Sequence, residues 1–176
     1  MQFPKTQIKT VVLVVAMLAM GCAGPAAEKE VEVGNDRAGR IQSVDVVEVT
    51  PQEATLAAGE SGDLVVPIKI AKGYHVNANP PSFSYLKATA LEIPPANGIS
   101  VEFITYPDPL IRKFSFSEKE LAVYEGEAVV KARLKADKSA ATGKHNLSAK
   151  LHVQACDDKV CYAPGVLDLS VPVNIK

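Results

Sequence analysis

The stretch "LSAKLHVQA", residues 147–155, alternates between apolar and polar side chains and decides the fold class. Successive side chains of a β-strand point to opposite faces, so a period of two predicts a strand with one buried face. The stretch runs directly into Cys156, and four further residues separate that cysteine from Cys161. The apolar positions of the alternation are Leu147, Ala149, Leu151 and Val153.

Other short stretches are rich in β-branched residues or share the same period, and Gly, Pro or Asn often bounds them. "EAVVKARLKA" has helix-forming residues, but its period of two favours a strand. Seven or more such strands predict an all-β domain over residues 46–176, an immunoglobulin-like antiparallel β-sandwich. The stretches are "DLVVPIKI" (63–70), "ATALEIP" (88–94), "ISVEFITY" (99–106), "EAVVKARLKA" (127–136) and "VLDLSVPVNI" (166–175).

The N-terminus predicts export. Two lysines precede an apolar run of ten, "VVLVVAMLAM" (residues 11–20), which Gly21 and Cys22 follow. A helix needs about 20 apolar residues to span a bilayer, so the run predicts a cleaved signal peptide over residues 1–21. A cysteine at this point resembles a bacterial lipoprotein signal, with the lipid on Cys22. The alternative is an ordinary secretory signal with an incidental cysteine.

Residues 22–45 are small or charged and contain few large apolar side chains, which predicts a flexible tether between the lipid and the domain. The formal net charge of the whole chain is −1. No basic patch or stripe stands out, so the sequence gives no indication of nucleic-acid binding. Export would place the chain in an oxidising compartment, where a cysteine pair can form a disulfide.

The alternation also predicts where the cysteines lie. Counted onward from Val153, Cys156 falls on the outward face together with His152 and Gln154. The pair would close a small loop at the rim of the sandwich, unlike the inward-facing staple between two distant strands of antibody domains. The sequence therefore predicts an exposed Cys156.

Three interpretations of Cys156 and Cys161 remain open on the residues alone. A structural disulfide around so small a ring adds about 2 kcal/mol in the loop-closure model, against nearly 5 for a 100-residue loop. A metal site would recruit His152, but zinc usually takes four ligands, and the other histidines are distant in sequence. A redox dithiol needs one accessible thiolate and a moderate reduction potential.

Local charge favours one cysteine as the attacking group of a redox pair. Asp157 and Asp158 follow Cys156 directly, and nearby negative charge disfavours a thiolate. Lys159 precedes Cys161 by two residues. Cys161 is therefore the predicted nucleophile.

The segment "VQACDDKVCYAP" (153–164) resembles the end of the N-terminal periplasmic domain of the thiol:disulfide interchange protein DsbD. In that family a strand leads into a cysteine, a short loop and then Cys-Tyr-Pro-Pro; here Ala163 replaces the first proline. "GYHVNAN" (73–79), "YPDP" (106–109) and "AVYEGE" (122–127) resemble the same domain in order and spacing. The resemblance spans roughly residues 46–176.

The resemblance implies a catalytic dithiol of Cys156 and Cys161 that works without a cofactor or metal. It also implies a cap loop with an aromatic shield, which falls within "PDPLIRKFSFSEKE" and makes Phe114 or Phe116 the candidate; core packing is the alternative for both. Tyr74 and His75 match the aromatic stretch beside the cysteines, and Tyr162 follows the second one. Ordinary packing is the alternative for these three residues.

The family would accept electrons from a thioredoxin-like domain or a membrane thiol reductase and pass them to oxidised proteins outside the cytoplasm. We therefore expect a stand-alone protein-disulfide reductase component, lipid-anchored through Cys22 in the cell envelope, whose electron donor is encoded elsewhere. The competing hypothesis is a non-catalytic, lipid-anchored, immunoglobulin-like binding module in which the disulfide only pins a loop.

Overall fold

The computed structural model of the protein describes residues 41–176. The predicted signal peptide, the predicted lipidation site Cys22 and most of the predicted tether lie outside these residues. Within the described part of the chain, no helix has the length and apolar character needed to cross a membrane.

The described chain forms one short 3₁₀ helix and twelve strands. The 3₁₀ helix is Ser43–Val46. The strands are β1 (Val47–Val49), β2 (Ala54–Leu56), β3 (Ser61–Ile70), β4 (His75–Asn77), β5 (Ala90–Glu92), β6 (Ile99–Thr105), β7 (Leu110–Arg112), β8 (Leu121–Tyr124), β9 (Glu127–Ala136), β10 (Gly143–Val153), β11 (Ala155–Cys156) and β12 (Gly165–Ile175).

The strands form three four-stranded sheets. Sheet I has the order β1-β3-β9-β6, sheet II the order β2-β12-β10-β5, and sheet III the order β11-β4-β8-β7. All strand pairs are antiparallel except one: β2, at the edge of sheet II, runs parallel to β12. The predicted immunoglobulin-like antiparallel β-sandwich is confirmed.

Sheets I and II enclose the main core. Every second residue of β3 and β9 is buried, because these strands pair in register from Ser61–Lys135 to Lys69–Glu127 and present one apolar face. The alternation predicted for β10 is confirmed, and its apolar positions join the same cluster as those of sheet I. A fully buried Leu, Ile or Val contributes about 1.5–3 kcal/mol, so these long strands dominate the stability of the domain.

One predicted strand is much shorter than its sequence pattern. "ATALEIP" yields only β5, because Thr89 leaves sheet II and binds Asn77 of β4 instead. Its backbone N–H and its hydroxyl both donate to the Asn77 carbonyl oxygen, at 3.1 and 2.7 Å. Beyond β5, Pro94 has no N–H group to donate to a ladder.

The prediction that Cys156 faces outward is wrong. β10 ends at Val153, and the chain crosses at Gln154 from sheet II to sheet III, where Ala155 pairs with Val76 and Cys156 with His75. A parity counted along one strand no longer holds once the chain changes sheet. Both Ala155 and Cys156 are fully buried.

The 3₁₀ helix holds this crossing in place. The buried hydroxyl of Ser43 accepts a hydrogen bond from the Ala155 N–H at 2.9 Å and donates to the Ala163 carbonyl oxygen at 2.6 Å. Its neighbour Val44 lies so close to Gly165 that a Cβ there would come within 2.6 Å of the valine side chain. The start of the domain is therefore bonded to both sides of the cysteine loop.

We expect Ser43→Ala to lower the free energy of unfolding by about 1–3 kcal/mol, because the buried Ala155 N–H would lose its acceptor. Chemical denaturation measures the difference. Ser170→Ala, on an exposed position of β12, is the matched control and should change stability by less than about 0.5 kcal/mol. Equal midpoints for the two variants would contradict the assigned role of Ser43.

Candidate redox site

Cys156 and Cys161 form a disulfide that closes a tight hairpin. The two cysteines are also bridge partners in the backbone. Inside the loop the Asp157 N–H donates to the Val160 carbonyl oxygen at 2.9 Å, and outside it the Tyr162 N–H donates to Ala155 at 2.8 Å. The loop is therefore ordered by its own backbone as well as by the disulfide.

The two sulfur-bearing residues differ in exposure. Cys156 is 0% exposed, whereas Cys161 is half-buried and lines an open cavity of about 590 Å³. An attacking sulfur from another molecule can therefore reach Cys161 and not Cys156. The cavity wall is largely apolar and includes Phe83, Tyr85, Leu86, Phe116 and Val160.

The Asp157 carboxylate organises the loop. It accepts hydrogen bonds from the backbone N–H groups of Lys159 and Val160, at 2.7 and 2.8 Å, and from the Tyr162 hydroxyl at 2.6 Å. The Tyr162 hydroxyl first, and then the two backbone donors, hold the pKa of Asp157 below its ordinary value. The same bond raises the pKa of Tyr162 to about 12, so this tyrosine keeps its proton.

His75 is directly opposite Cys156 on β4. It is 3% exposed, and its ring stacks on Phe114 with 4.0 Å between ring centroids and 15° between planes. Burial lowers the pKa of His75, while the charges of Glu125, Asp158 and Asp157 oppose the shift. The net direction is downward, so the imidazole is neutral at pH 7.

The segment between β7 and β8 brings both candidate phenylalanines to the site. Phe114 is buried with Leu121 and Val123, and Phe116 stacks on it at 5.4 Å while remaining 39% exposed. Phe116 lines the cavity that contains Cys161. The Ser115 hydroxyl donates to the Asp158 carbonyl oxygen at 2.7 Å, which ties the segment to the cysteine loop.

Tyr74 lies at the edge of the site. It is half-buried, packs on the main core and faces Tyr162 with 6.1 Å between ring centroids. The candidate site residues therefore lie together around β4, β11 and the segment between β7 and β8; they are Tyr74, His75, Phe114, Phe116, Cys156, Cys161 and Tyr162.

Sequence reasoning missed a polar junction behind the cysteine loop. The Gln154 side chain accepts hydrogen bonds from the Asn77 side chain at 3.1 Å and from the Lys87 backbone at 2.8 Å. Its amide donates to the Tyr162 carbonyl oxygen at 3.2 Å. These partners lie 8 to 77 residues from Gln154, so no local pattern identifies them. The Pro-flanked aromatics of "PPSFSYLK" (80–87) are the one local signal for the cavity wall.

His152, the histidine considered as a metal ligand, lies on β10 with its Nε2 atom 3.3 Å from Glu92 of β5. Within residues 41–176, no three His, Cys, Asp or Glu side chains are grouped so that they could hold a metal ion.

Solved structures with similar folds were identified. The chain is 18% identical to the reduced DsbD N-terminal domain of Neisseria meningitidis, covering 76% of this chain and 90% of that one, with a TM-score of 0.49. It is 16% identical to the N-terminal periplasmic domain of ScsB from Proteus mirabilis, covering 74% of this chain and 47% of that one, with a TM-score of 0.50. The chain thus spans about half of that ScsB structure.

A third similar structure is a complex between the DsbD N-terminal and PilB N-terminal domains of Neisseria meningitidis. Here the identity is 19%, the coverage 69% of this chain and 80% of that one, and the TM-score 0.44. No curated protein matches the sequence.

The sequence pattern of the family described as "Thiol:disulfide interchange protein DsbD, N-terminal" matches residues 43–170. This match spans β1 to β11 and about half of β12, and it includes both cysteines and all the residues of the candidate site. It confirms the resemblance carried by the cysteine motif. The protein belongs to the family of DsbD N-terminal thiol:disulfide interchange domains.

Proposed function

We propose that the protein is a lipid-anchored, extracytoplasmic electron carrier whose Cys156–Cys161 pair cycles between disulfide and dithiol. It takes electrons from a thioredoxin-like domain or a membrane thiol reductase and passes them to oxidised proteins. The observation that supports this function is the unequal exposure of the pair: one sulfur-bearing residue is reachable from an apolar cavity, and the other is fully buried.

In the first half of the cycle, a thiolate of the reduced partner attacks the Cys161 sulfur. A mixed disulfide forms, the Cys156–Cys161 bond breaks, and its electron pair passes to Cys156. The partner's second thiolate then attacks its own half of the mixed disulfide and expels the Cys161 thiolate. The partner leaves oxidised and the domain leaves with a dithiol.

In the second half, the Cys161 thiolate attacks the disulfide of an oxidised protein and forms a mixed disulfide with it. The buried Cys156 then attacks the Cys161 sulfur, restores the internal disulfide and expels the reduced client. In both halves of the cycle the sulfur of the other protein bonds to Cys161, which agrees with the position of Cys161 in the wall of the cavity. No cofactor enters either half.

The apolar cavity is suited to receive the surface around a partner's cysteine. Tyr85 is 73% exposed and Val160 is 50% exposed at its rim, beside Phe116. Large exposed apolar side chains that lie together mark interaction sites more often than scattered ones do. Contacts of this kind would hold a partner sulfur in line with Cys161.

The segment from Lys113 to Glu120 is the cap of the proposed site. Phe114 covers His75, Phe116 covers the cavity side, and Ser115 fastens the segment to Asp158. Lys113 Nζ donates to the carbonyl oxygens of Ser117 and Glu118, which closes the segment on itself. Because the hydrogen bond from Ser115 to Asp158 is the one that joins the cap to the cysteine loop, we expect the cap to open as a unit when a partner docks.

The reduction potential of the pair should lie between about −180 and −270 mV, in the range of exchange proteins. Alkylation after equilibration in thiol buffers of known potential measures it. A value below about −300 mV would identify a structural disulfide. That result would reject the exchange function and favour a binding module in which the disulfide only holds the loop.

Mixed disulfides should be trapped through Cys161. We expect Cys156→Ser to accumulate a covalent adduct with a thioredoxin-like domain whose single attacking cysteine is first converted to its mixed disulfide with thionitrobenzoate. The Cys161 thiolate attacks that cysteine and expels thionitrobenzoate, and the adduct persists because the resolving sulfur is absent. Non-reducing electrophoresis and mass spectrometry detect the adduct. Cys161→Ser is the matched control and should give at least about tenfold less adduct, because Cys156 is buried. Equal trapping by two folded variants would reject the assignment of the attacking sulfur.

Removing the cap aromatics should speed oxidation of the reduced pair. Loss of one stacked aromatic contact costs about 0.5–1.5 kcal/mol, which corresponds to about twofold to tenfold faster reaction with hydrogen peroxide in Phe114→Ala and Phe116→Ala. Loss of free thiols over time measures the rate. Phe103→Ala, on an exposed position of β6, is the control. The cap proposal fails if both cap variants react at the wild-type rate.

A further inference from the structure

His75 is placed to act on Cys156. The two residues are direct partners in the β4–β11 pair, and such partners have Cβ atoms about 4.5–5.5 Å apart on the same face of the sheet. An imidazole on one strand can therefore reach a sulfur on the other. Phe114 stacks on the imidazole ring and restricts its orientation.

The imidazole has an unused nitrogen. Nε2 of His75 is buried, and no residue within 41–176 makes a hydrogen bond to it. Unsatisfied buried polar groups are rare, and a catalytic or redox role is one of the explanations for them. His75 also lines a second open cavity, of about 720 Å³, which shares no lining residue with the apolar one. The residue thus lies between a buried cysteine and solvent.

The charged groups around His75 come from three elements. Glu125 and Glu127 lie at the β8–β9 turn, Asp157 and Asp158 in the cysteine loop, and Lys69 and Lys72 at the end of β3 and just beyond it. Desolvation outweighs the carboxylates and keeps the pKa of His75 below its ordinary value. The neutral ring can therefore accept a proton at pH 7, and the carboxylates would stabilise the resulting imidazolium.

The exchange chemistry requires a proton acceptor at this place. Cys156 must become a thiolate to resolve the mixed disulfide, yet desolvation in an apolar interior disfavours a thiolate. The phenol of Tyr162 cannot serve, because Asp157 holds its proton and raises its pKa to about 12. His75 is the neutral base opposite the sulfur.

We propose that His75 is the general base that takes the Cys156 thiol proton during resolution of the mixed disulfide on Cys161, an inference that rests on the exchange function proposed above. The proton passes to the imidazole, and the sulfur electron pair forms the bond to Cys161. The client sulfur leaves with the electron pair of the broken bond, and the imidazolium releases its proton to solvent through the second cavity. When a donor reduces the disulfide, the imidazole takes up a proton from solvent and passes it to the Cys156 thiolate.

The test follows the two steps separately. The reduced protein is mixed with oxidised glutathione, quenched with acid at intervals and analysed by mass spectrometry. The masses distinguish the dithiol, the mixed disulfide with glutathione and the internal disulfide. The measurement is repeated from pH 5 to pH 9 for wild type, His75→Phe, His75→Gln and His145→Gln.

The wild-type resolution rate should already be level at pH 7, because the lowered pKa of His75 leaves it neutral there. Both His75 variants should resolve about 100-fold more slowly at pH 7, and their rates should rise with pH up to pH 9. Formation of the mixed disulfide by Cys161 should stay within about twofold. His145→Gln, at the far end of β10, should match wild type in both steps.

His75→Phe keeps an aromatic ring stacked on Phe114, so it separates loss of the base from loss of packing and carries the test if His75→Gln does not fold. Wild-type resolution rates in His75→Phe, or equal slowing of both steps, would overturn the role of His75. If reduced wild-type protein forms neither the mixed disulfide nor the internal disulfide, the exchange function itself fails. Formation and resolution that do not depend on residue 75 would reject only the base.

Discussion

The backbone pairing of Ala155 and Cys156 with Val76 and His75 is the constraint on which the site depends. It moves the chain from sheet II to sheet III immediately before the first cysteine and buries that cysteine completely. The hairpin then returns Cys161 to the surface five residues later, beside the apolar cavity. A two-residue strand thereby makes two chemically identical thiols unequal in access.

Polar side chains from distant parts of the chain hold this pairing. The Ser43 hydroxyl makes hydrogen bonds to Ala155 of β11 and to Ala163 after the hairpin. The Gln154 side chain, at the crossing between sheets II and III, makes hydrogen bonds to β4 and to the Lys87 backbone. The Asp157 carboxylate accepts hydrogen bonds from two backbone N–H groups and the Tyr162 hydroxyl, so these bonds order the loop in addition to the disulfide. A loop ordered in this way can keep its shape when the disulfide is reduced, as a cycling pair requires.

The site and the core have separate apolar clusters. The main cluster joins sheets I and II, whereas Phe114 of the proposed cap forms a small cluster with Leu121 and Val123, and Phe83 and Leu86 pack against it. Regions with few buried apolar contacts open at lower free energy than the core does. The proposed cap, which belongs to the small cluster, is therefore expected to open at lower free energy than the long strands of the sandwich.

The sequence by itself determined the long strands and the family. Alternation in β3, β9, β10 and β12 is a local property with a period of two, and the cysteine motif is a contiguous segment, so both are visible in one dimension. Only the tertiary structure decided that Cys156 is buried, that His75 lies opposite it and that Phe116 rather than Phe114 borders Cys161. These outcomes depend on a change of sheet at Gln154 and on contacts such as Ser43 to Ala155, 112 residues apart. Strand parity is a local rule, and it carries no information about where a chain leaves one sheet for another.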